Sequence, residues 1–431
     1  MTAPALTLPQ PRGACPGLSA PMTTGDGLLV RLLPIGAIAL DAFAGLCAAA
    51  RQHGNGIVEV TSRGSIQIRG LSAASASCFA ADVAALGIAA ADGIPVLTDP
   101  LAGLDAQDII DAGALAADLR LALARNSLTQ RLAAKVSVAI DGGGALNLDR
   151  LAADVRLRAE VLQNGIVVRI GVGGDHGTAS DLGAVSPSDG IAAVTRLLEV
   201  LAQRGRGARA RDVRAAEGIA VFRSAVADLL VVSAPPCLRG NERQEPIGLH
   251  RLRDGTFAYG TGLAFGHADA TSLQRLTDAA EAVGAGGMRV APGRALMVVG
   301  LTRQAAVSFA AGAAALGFIV RADDPRRHVV ACAGAPICAS ADIAARALAP
   351  HVAAAAAPHL DGSFKIHISG CAKGCAHPAP AALTVVGMLS GCALIADGST
   401  RDAPFRTVAT NELPDAIASI ARDLKHEGGH V

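Results

Sequence analysis

The chain has 431 residues, with 38 lysines and arginines against 37 aspartates and glutamates. That length supports two or more domains, each with an ample core, and the charge balance argues against a general electrostatic grip on nucleic acid. With no tryptophan and a single tyrosine, Tyr259, aromatic platforms for single-stranded nucleic acid are poorly supplied as well.

Residues 1–25 are rich in proline, glycine and threonine and predict an extended segment rather than a domain. The opening lacks an early basic run and an apolar stretch, so no signal peptide is expected. From Gly27 a strand pattern (LLVRLLP) leads to a helix from about Leu40 to Arg51. Its apolar residues Leu40, Phe43, Ala44, Leu46 and Cys47 recur near the 3.6 period. Gly54 and Gly56 end it. A strand (IVEV), a turn (TSRGS), a second strand (IQIRG) and a helix closing in AALGI follow.

The same order returns 230 residues later. LPIG at Leu33–Gly36 aligns with LAFG at Leu263–Gly266, and the run from Gly56 to Leu71 aligns without gaps with Gly286 to Leu301. KVSVAIDGGG from Lys135 aligns with KIHISGCAKG from Lys365. The chain reads as a tandem duplication of an α+β module followed by a larger strand and helix module. A pseudo-two-fold protein of this kind is expected to bind its ligand between the halves.

Nine cysteines are present. Cys332 and Cys338 form one pair (Cys-x5-Cys), and Cys371 and Cys375 a second (Cys-x3-Cys), about thirty residues apart. Four thiolates set among small residues suit an iron–sulfur cluster, with zinc or buried structural thiols as the alternatives. Cys15, Cys47, Cys78, Cys237 and Cys392 are scattered, which argues against a secreted disulfide framework. Only the second half carries the set, because Asp141 stands in the place of Cys371. The charge-free run from Gly374 to Ala396 is broken by Pro378, Pro380, Gly387 and Gly391, so two strands and a turn are expected rather than a membrane span. A soluble, cytoplasmic protein is expected.

Several residues are candidates for a site. Arg63 lies in the turn between two strands, where it can grip a carboxylate or remain a solvated turn arginine. Gln67 and Arg69 alternate with Ile66 and Ile68 and should share its face. Lys135 and Lys365 precede matching strands, as structural caps or as a symmetric frame around an anionic ligand. Lys373, between two cysteines, would offset thiolate charge. His377 reads as a ligand contact or as an ordinary loop histidine beside Pro378. Gly142–Gly144 lacks the Lys-Ser/Thr ending of a phosphate loop and reads as a turn.

The two cysteine pairs, the Thr-x-Arg-x3-Gln run at Thr61–Gln67 and the duplicated halves resemble the sirohaem-dependent nitrite and sulfite reductases. Three runs resemble the precorrin-3B synthase branch of that family: RGACPGLSAPMTTGDGLLVRL near the N-terminus, DPLAGLD at 99–105 and HISGCAKGCAHP at the cysteines. The resemblance implies an α+β fold of nitrite/sulfite reductase-like, pseudo-two-fold architecture. Ferredoxin-like half-domains would span 26–90 and 236–320, and larger α/β domains 91–235 and 321–431. It implies a [4Fe-4S] cluster on Cys332, Cys338, Cys371 and Cys375, with Cys375 matching the sulfur that bridges to sirohaem iron in the reductases. Arg63 and Lys135 match catalytic basic residues lining macrocycle and anion, with Gln67, Arg69, Lys365, Lys373 and His377 near the substrate, and the glycines at 142–144 join the pocket wall.

Two departures separate the chain from the reductases. Ser137 stands where they carry a second lysine, and Ile94 and Pro95 stand where they carry an arginine. The synthase branch therefore fits better than a sirohaem nitrite or sulfite reductase. It implies oxygen-dependent hydroxylation of precorrin-3A with γ-lactone formation in cobalamin biosynthesis. Electrons would come from a reduced pyridine nucleotide through a reductase, or from a ferredoxin. A mononuclear non-haem iron is also implied, for which no local sequence motif supplies ligands.

Overall fold

A computed structural model describes residues 16–91, 93–163, 165–231 and 244–427. Cys15, Cys237 and the start of the expected N-terminal segment lie outside the described residues.

The first module contains β1 (Met22–Thr24), β2 (Gly27–Leu32), α1 (Leu40–His53), β3 (Ile57–Val60), β4 (Ile66–Leu71) and α2 (Ala73–Ala85). Helix α1 buries Phe43, Leu46, Cys47 and Ala50 on one stripe, and the Gly54 N–H closes its end on the Ala50 carbonyl. Ser72 and Ser75 cap the start of α2 reciprocally. Strand β1 corrects the expected boundary after residue 25. It pairs antiparallel with β2, Met22 opposite Leu29, because the Thr24–Gly27 turn folds it back onto the sheet.

The second module contains β5 (Val96–Thr98), α3 (Ala112–Ala124), α4 (Leu128–Arg131), β6 (Val138–Asp141), β7 (Ala153–Leu162), β8 (Gly165–Gly174) and β9 (Ser180–Val185), then α5 (Gly190–Ala202), α6 (Ala210–Glu217), α7 (Ala220–Ala225) and β10 (Leu230–Val231). The sheet order is β10-β9-β8-β7-β6-β5. Strands β5, β6 and β7 run parallel. Parallel neighbours require a crossover, and α3 supplies it between β5 and β6.

The third module repeats the first with β11 (Gly248–Arg251), β12 (Phe257–Gly262), β13 (His267–Asp269), α8 (Ala270–Ala282), β14 (Gly287–Ala291), β15 (Ala295–Leu301) and α9 (Arg303–Ala315). Gly27 and Phe257, Leu40 and Ala270, and Ala73 and Arg303 open corresponding elements 230 residues apart. The two modules are not separate bodies. Strand β13 leaves its own half to pair with β3, His267 opposite Glu59, and in return Ile38 bridges to Met288 on β14. One apolar core joins Phe43, Ile68 and Phe79 to Leu273, Val298 and Phe309. Separating the halves would expose that core, and each large buried side chain contributes about 1.5–3 kcal/mol.

The fourth module contains β16 (Val329–Ala331), α10 (Ala345–Ala356), β17 (Ile366–Ser369), β18 (Ala381–Met388), β19 (Gly391–Gly398), β20 (Arg406–Val408) and α11 (Leu413–Glu427), with sheet order β16-β17-β18-β19-β20. The charge-free run is a loop, β18, a turn and most of β19, as its prolines and glycines predict. Among the described residues no helix is long and apolar enough to cross a membrane.

Candidate functional site

The two central hairpins, β3–β4 and β14–β15, meet tip to tip. The Gly293 N–H donates to the Ser62 carbonyl at 3.0 Å, and Gly64 packs so closely on Pro292 that a Cβ there would lie 3.1 Å from its nitrogen. A cavity of about 300 Å³ opens beside this contact. The first half lines it with Arg31, Glu59, Arg63 and Gln67. The second half adds Phe265, His267, Arg294 and Cys375.

Arg63 projects from its tip toward the second module, donating from Nη1 to the Ala152 carbonyl at 2.8 Å and from Nη2 to Ser137 Oγ at 3.0 Å. Ser137 is thus part of the arginine's anchorage. Its own N–H donates to the buried carboxylate of Asp154, which also accepts two hydrogen bonds from Arg209. Gln67, oriented to satisfy both neighbours, donates to Glu59 at 2.9 Å and accepts from Arg31 Nε at 2.9 Å.

Arg69 departs from its expected role. Nε and Nη2 grip both oxygens of Asp26 at 2.8 Å, Nη1 lies 3.5 Å from Glu59, and the side chain does not line the cavity. One pleat repeat beyond Gln67, it reaches Asp26 in the β1–β2 turn instead. Burial pushes the Asp26 carboxyl up, but the hydrogen bond and charge of Arg69 outweigh it and leave the pKa lowered. Burial pulls Arg69 down, and the charges of Glu59 and Asp26 more than reverse that.

The lysine frame is not symmetric. Lys135 is exposed, three residues ahead of β6, and does not line the cavity; Lys365 is exposed directly ahead of β17. The differing distance to the strand gives the two side chains different surroundings. Gly142–Gly144 also lies outside the cavity wall. Asp141, fully buried, holds that turn by accepting from the N–H groups of Gly143 and Leu148. Lys373 is exposed and donates to Ser340 Oγ at 2.5 Å. His377 is partly buried, its ring edge-on to His367 with centroids 5.7 Å apart, and its neighbours Ala376 and Pro378 line the cavity.

Cys332 directly follows β16, and Cys371 follows β17 after Gly370. Among the described residues neither they nor Cys338 and Cys375 form a disulfide. The Gly370 N–H donates to Cys332 Sγ at 3.1 Å. Burial pushes the Cys332 thiol up, and charge on Cys375 and Cys371 adds to that. Small residues are required around the sulfurs: a Cβ on Gly370 would lie 2.7 Å from Ala341 Cβ, and one on Gly25 2.5 Å from Cys338 Sγ. Among the described residues, no three His, Cys, Asp or Glu side chains are close enough to hold one metal ion. A single zinc needs every sulfur about 2.3 Å from one centre. A four-iron cluster instead spreads its cysteines over separate irons. Soft donors, N–H···S bonds and a small-residue lining fit that larger group.

Sequence reasoning missed Asp26, Arg31, Glu59, His267, Arg294 and Arg346. Alternation in β2, with Val30 and Leu32 buried around Arg31, is the one local signal that could have found any of them. His267 accepts at Nδ1 from Arg346 Nη2 at 2.9 Å. A guanidinium only donates, so the ring proton resides on Nε2. Burial, and then the Arg346 charge, hold His267 down at about 3.

Residues 20–86 match the nitrite/sulfite reductase ferredoxin-like half domain. The NirA protein of Mycobacterium tuberculosis superposes with a TM-score of 0.74 at 20% identity, covering 93% of this chain and 81% of that one. The fold is therefore that of the nitrite/sulfite reductase class. A precorrin-3B synthase from Sinorhizobium sp is 38% identical over 418 residues, which span 95% of this chain and 88% of the relative. The chain belongs to the precorrin-3B synthase family, and it is an oxidoreductase.

Proposed function

We propose that the chain hydroxylates precorrin-3A with molecular oxygen, while a ring-A acetate closes a γ-lactone, in the aerobic formation of cobalamin. One oxygen atom enters the substrate. The other leaves as water, using an electron pair and protons from a reduced pyridine nucleotide through a reductase, or from a ferredoxin. The observation that carries this reading is a cavity with Arg63 on one wall and Cys375 on the other. Cys332, Cys338, Cys371 and Cys375 would hold a [4Fe-4S] cluster, which supplies electrons singly when bound. Lys373 lies within that loop and offsets thiolate charge. Arg63 turns its guanidinium to a substrate carboxylate, and Ser137 and Ala152, both neutral acceptors, orient it beforehand. Gln67, wedged between Arg31 and Glu59, fixes the charged groups on the same wall. We place the protein in the cytoplasm.

Reduction of sulfite or nitrite is less well supported. Ser137 and the Ile94–Pro95 pair leave two cationic positions of an anion site unfilled, and Ser137 is engaged with Arg63. The mononuclear iron that the synthase resemblance implies is a separate matter, and among the described residues no group of three His, Cys, Asp or Glu side chains identifies its ligands. The test is anaerobic purification followed by addition of precorrin-3A, reductant and isotopically labelled oxygen. One labelled oxygen atom should appear in the lactone product. Protein isolated with tightly bound sirohaem that reduces sulfite or nitrite would overturn this reading.

A further inference from the structure

Among the described residues only three non-glycines adopt positive φ, and two of them, Phe265 (62°) and Arg294 (66°), line the cavity. Side chains bearing a Cβ disfavour that region, and residues held there cluster at binding and active sites. Arg294 occupies the β14–β15 tip at the position that Gly64 (76°) fills in the β3–β4 tip. Glycine would make the turn without strain, so the duplicated fold does not itself require an arginine.

Space for this arginine is also built in. Gly266, at φ 90°, lies so close that a Cβ would sit 2.7 Å from Arg294 Cδ and 2.9 Å from Nε. At the aligned Gly36 nothing lies within 4 Å of such a Cβ. The second half has filled with a guanidinium the space that the first half leaves open.

Among the described residues that guanidinium makes no ion pair within 4 Å. Among the described residues its hydrogen bond goes from Nη2 to the neutral carbonyl of Ala376, at 3.4 Å, beside Cys375. The carboxylate that acts on it electrostatically, Glu59, already faces Gln67 and Arg69. Arg69 shows the contrast, since Asp26 grips it bidentately. A partly buried cation with one long bond to a carbonyl is costly unless a ligand supplies the charge.

We propose that Arg294 binds a carboxylate of the substrate on the cluster side of the cavity, opposite Arg63. This deepens the tetrapyrrole reading above and rests on it. The two touching tips would each send one arginine outward, Arg63 toward the second module and Arg294 toward the cysteine loop. Acetate or propionate groups on different edges of one macrocycle could then be held together, fixing which edge faces Cys375.

Anaerobic titration with precorrin-3A, and with precorrin-3A whose carboxylates are amidated, tests this in wild type, Arg294→Gly and Arg294→Gln. Loss of a charge-assisted bond should weaken binding of the acid roughly ten- to a hundred-fold, and binding of the amide far less. Arg294→Gly should melt no lower than wild type, because glycine relieves the positive φ, and should keep its iron. Unchanged affinity in both variants overturns the proposal while leaving the tetrapyrrole reading intact. Equal loss for acid and amide, or loss of iron in both variants, makes Arg294 a structural prop and overturns it too. Failure of wild type to bind either probe removes the tetrapyrrole reading, and this proposal with it.

Discussion

Gly25 lies directly against Cys338: a Cβ on the glycine would come within 2.5 Å of the sulfur, and the Ala339 N–H donates to the Gly25 carbonyl at 3.0 Å. A turn of the first half thus covers one cysteine loop of the second. Gly25→Ala should push that loop outward and lower the iron recovered after anaerobic purification. It should also speed cluster bleaching in air, followed by visible absorbance. Iron content and bleaching rate equal to wild type would show that the contact is dispensable.

Cys332, Cys338, Cys371 and Cys375 should each be needed for about four iron and four sulfide per chain. Alanine at any one should deplete both, whereas Cys78→Ala, at an exposed position on α2, should leave them unchanged. Iron and sulfide assays decide this, and a normal content in Cys371→Ala would end the assignment.

The buried pair of Asp26 and Arg69 makes a separate prediction for stability. Asp26→Asn leaves Arg69, 8% exposed, without its bidentate partner and should cost about 3–5 kcal/mol in chemical unfolding. The Asp26 pKa is lowered on folding. Its contribution is therefore complete above the ordinary carboxylate value of 3.8 and is lost as pH falls through the folded value. A wild-type unfolding free energy matched by Asp26→Asn at neutral pH would refute this.

Arg63→Ala removes the bonds to Ser137 and Ala152 and any grip on a ligand carboxylate. Affinity for precorrin-3A should drop roughly ten- to a hundred-fold, with iron content unchanged. Ser137→Ala should have a smaller effect, since the Ala152 carbonyl still orients the guanidinium. Titration of both variants gives the comparison, and an unaltered affinity in Arg63→Ala would put the substrate elsewhere.

His367 is fully buried, with neither ring nitrogen hydrogen-bonded among the described residues, and burial followed by the nearby His377 holds it down at about 3. His267 is held equally low. An unfolded histidine takes up its proton near pH 6.5, so below that value the unfolded chain binds protons that the folded chain refuses. Stability should be complete above about pH 6.5 and decline as pH falls toward about 3. Urea midpoints at pH 7 and pH 5 should differ in wild type, and the difference should shrink in His367→Asn, where His267 still contributes. The same slope in the variant would contradict it.

Much of the fold was legible in the chain itself. The helix of Leu40–His53 shows in its apolar spacing, the hairpin around Arg63 in its alternation and glycine, and the duplication in a constant offset. Local periodicity suffices for these because each depends on neighbours in sequence. The cysteine pairs were legible for a chemical reason, since soft donors among small residues have few other uses.

What the tertiary structure decided is which charges are already spent. Gln67 and Arg69 share a face of β4, yet only Gln67 lines the cavity, because Asp26 arrives from a turn some forty residues away and takes the arginine. Lys135 and Lys365 align in sequence, yet they stand at different distances from their strands, and neither lines the cavity. Arg294 gave no signal in the chain, where it aligns with a glycine. Its significance arises only when two hairpin tips from opposite halves touch and leave its guanidinium near Cys375 with no ion pair among the described residues. Pairing between distant charges depends on three-dimensional proximity, and no local pattern encodes it.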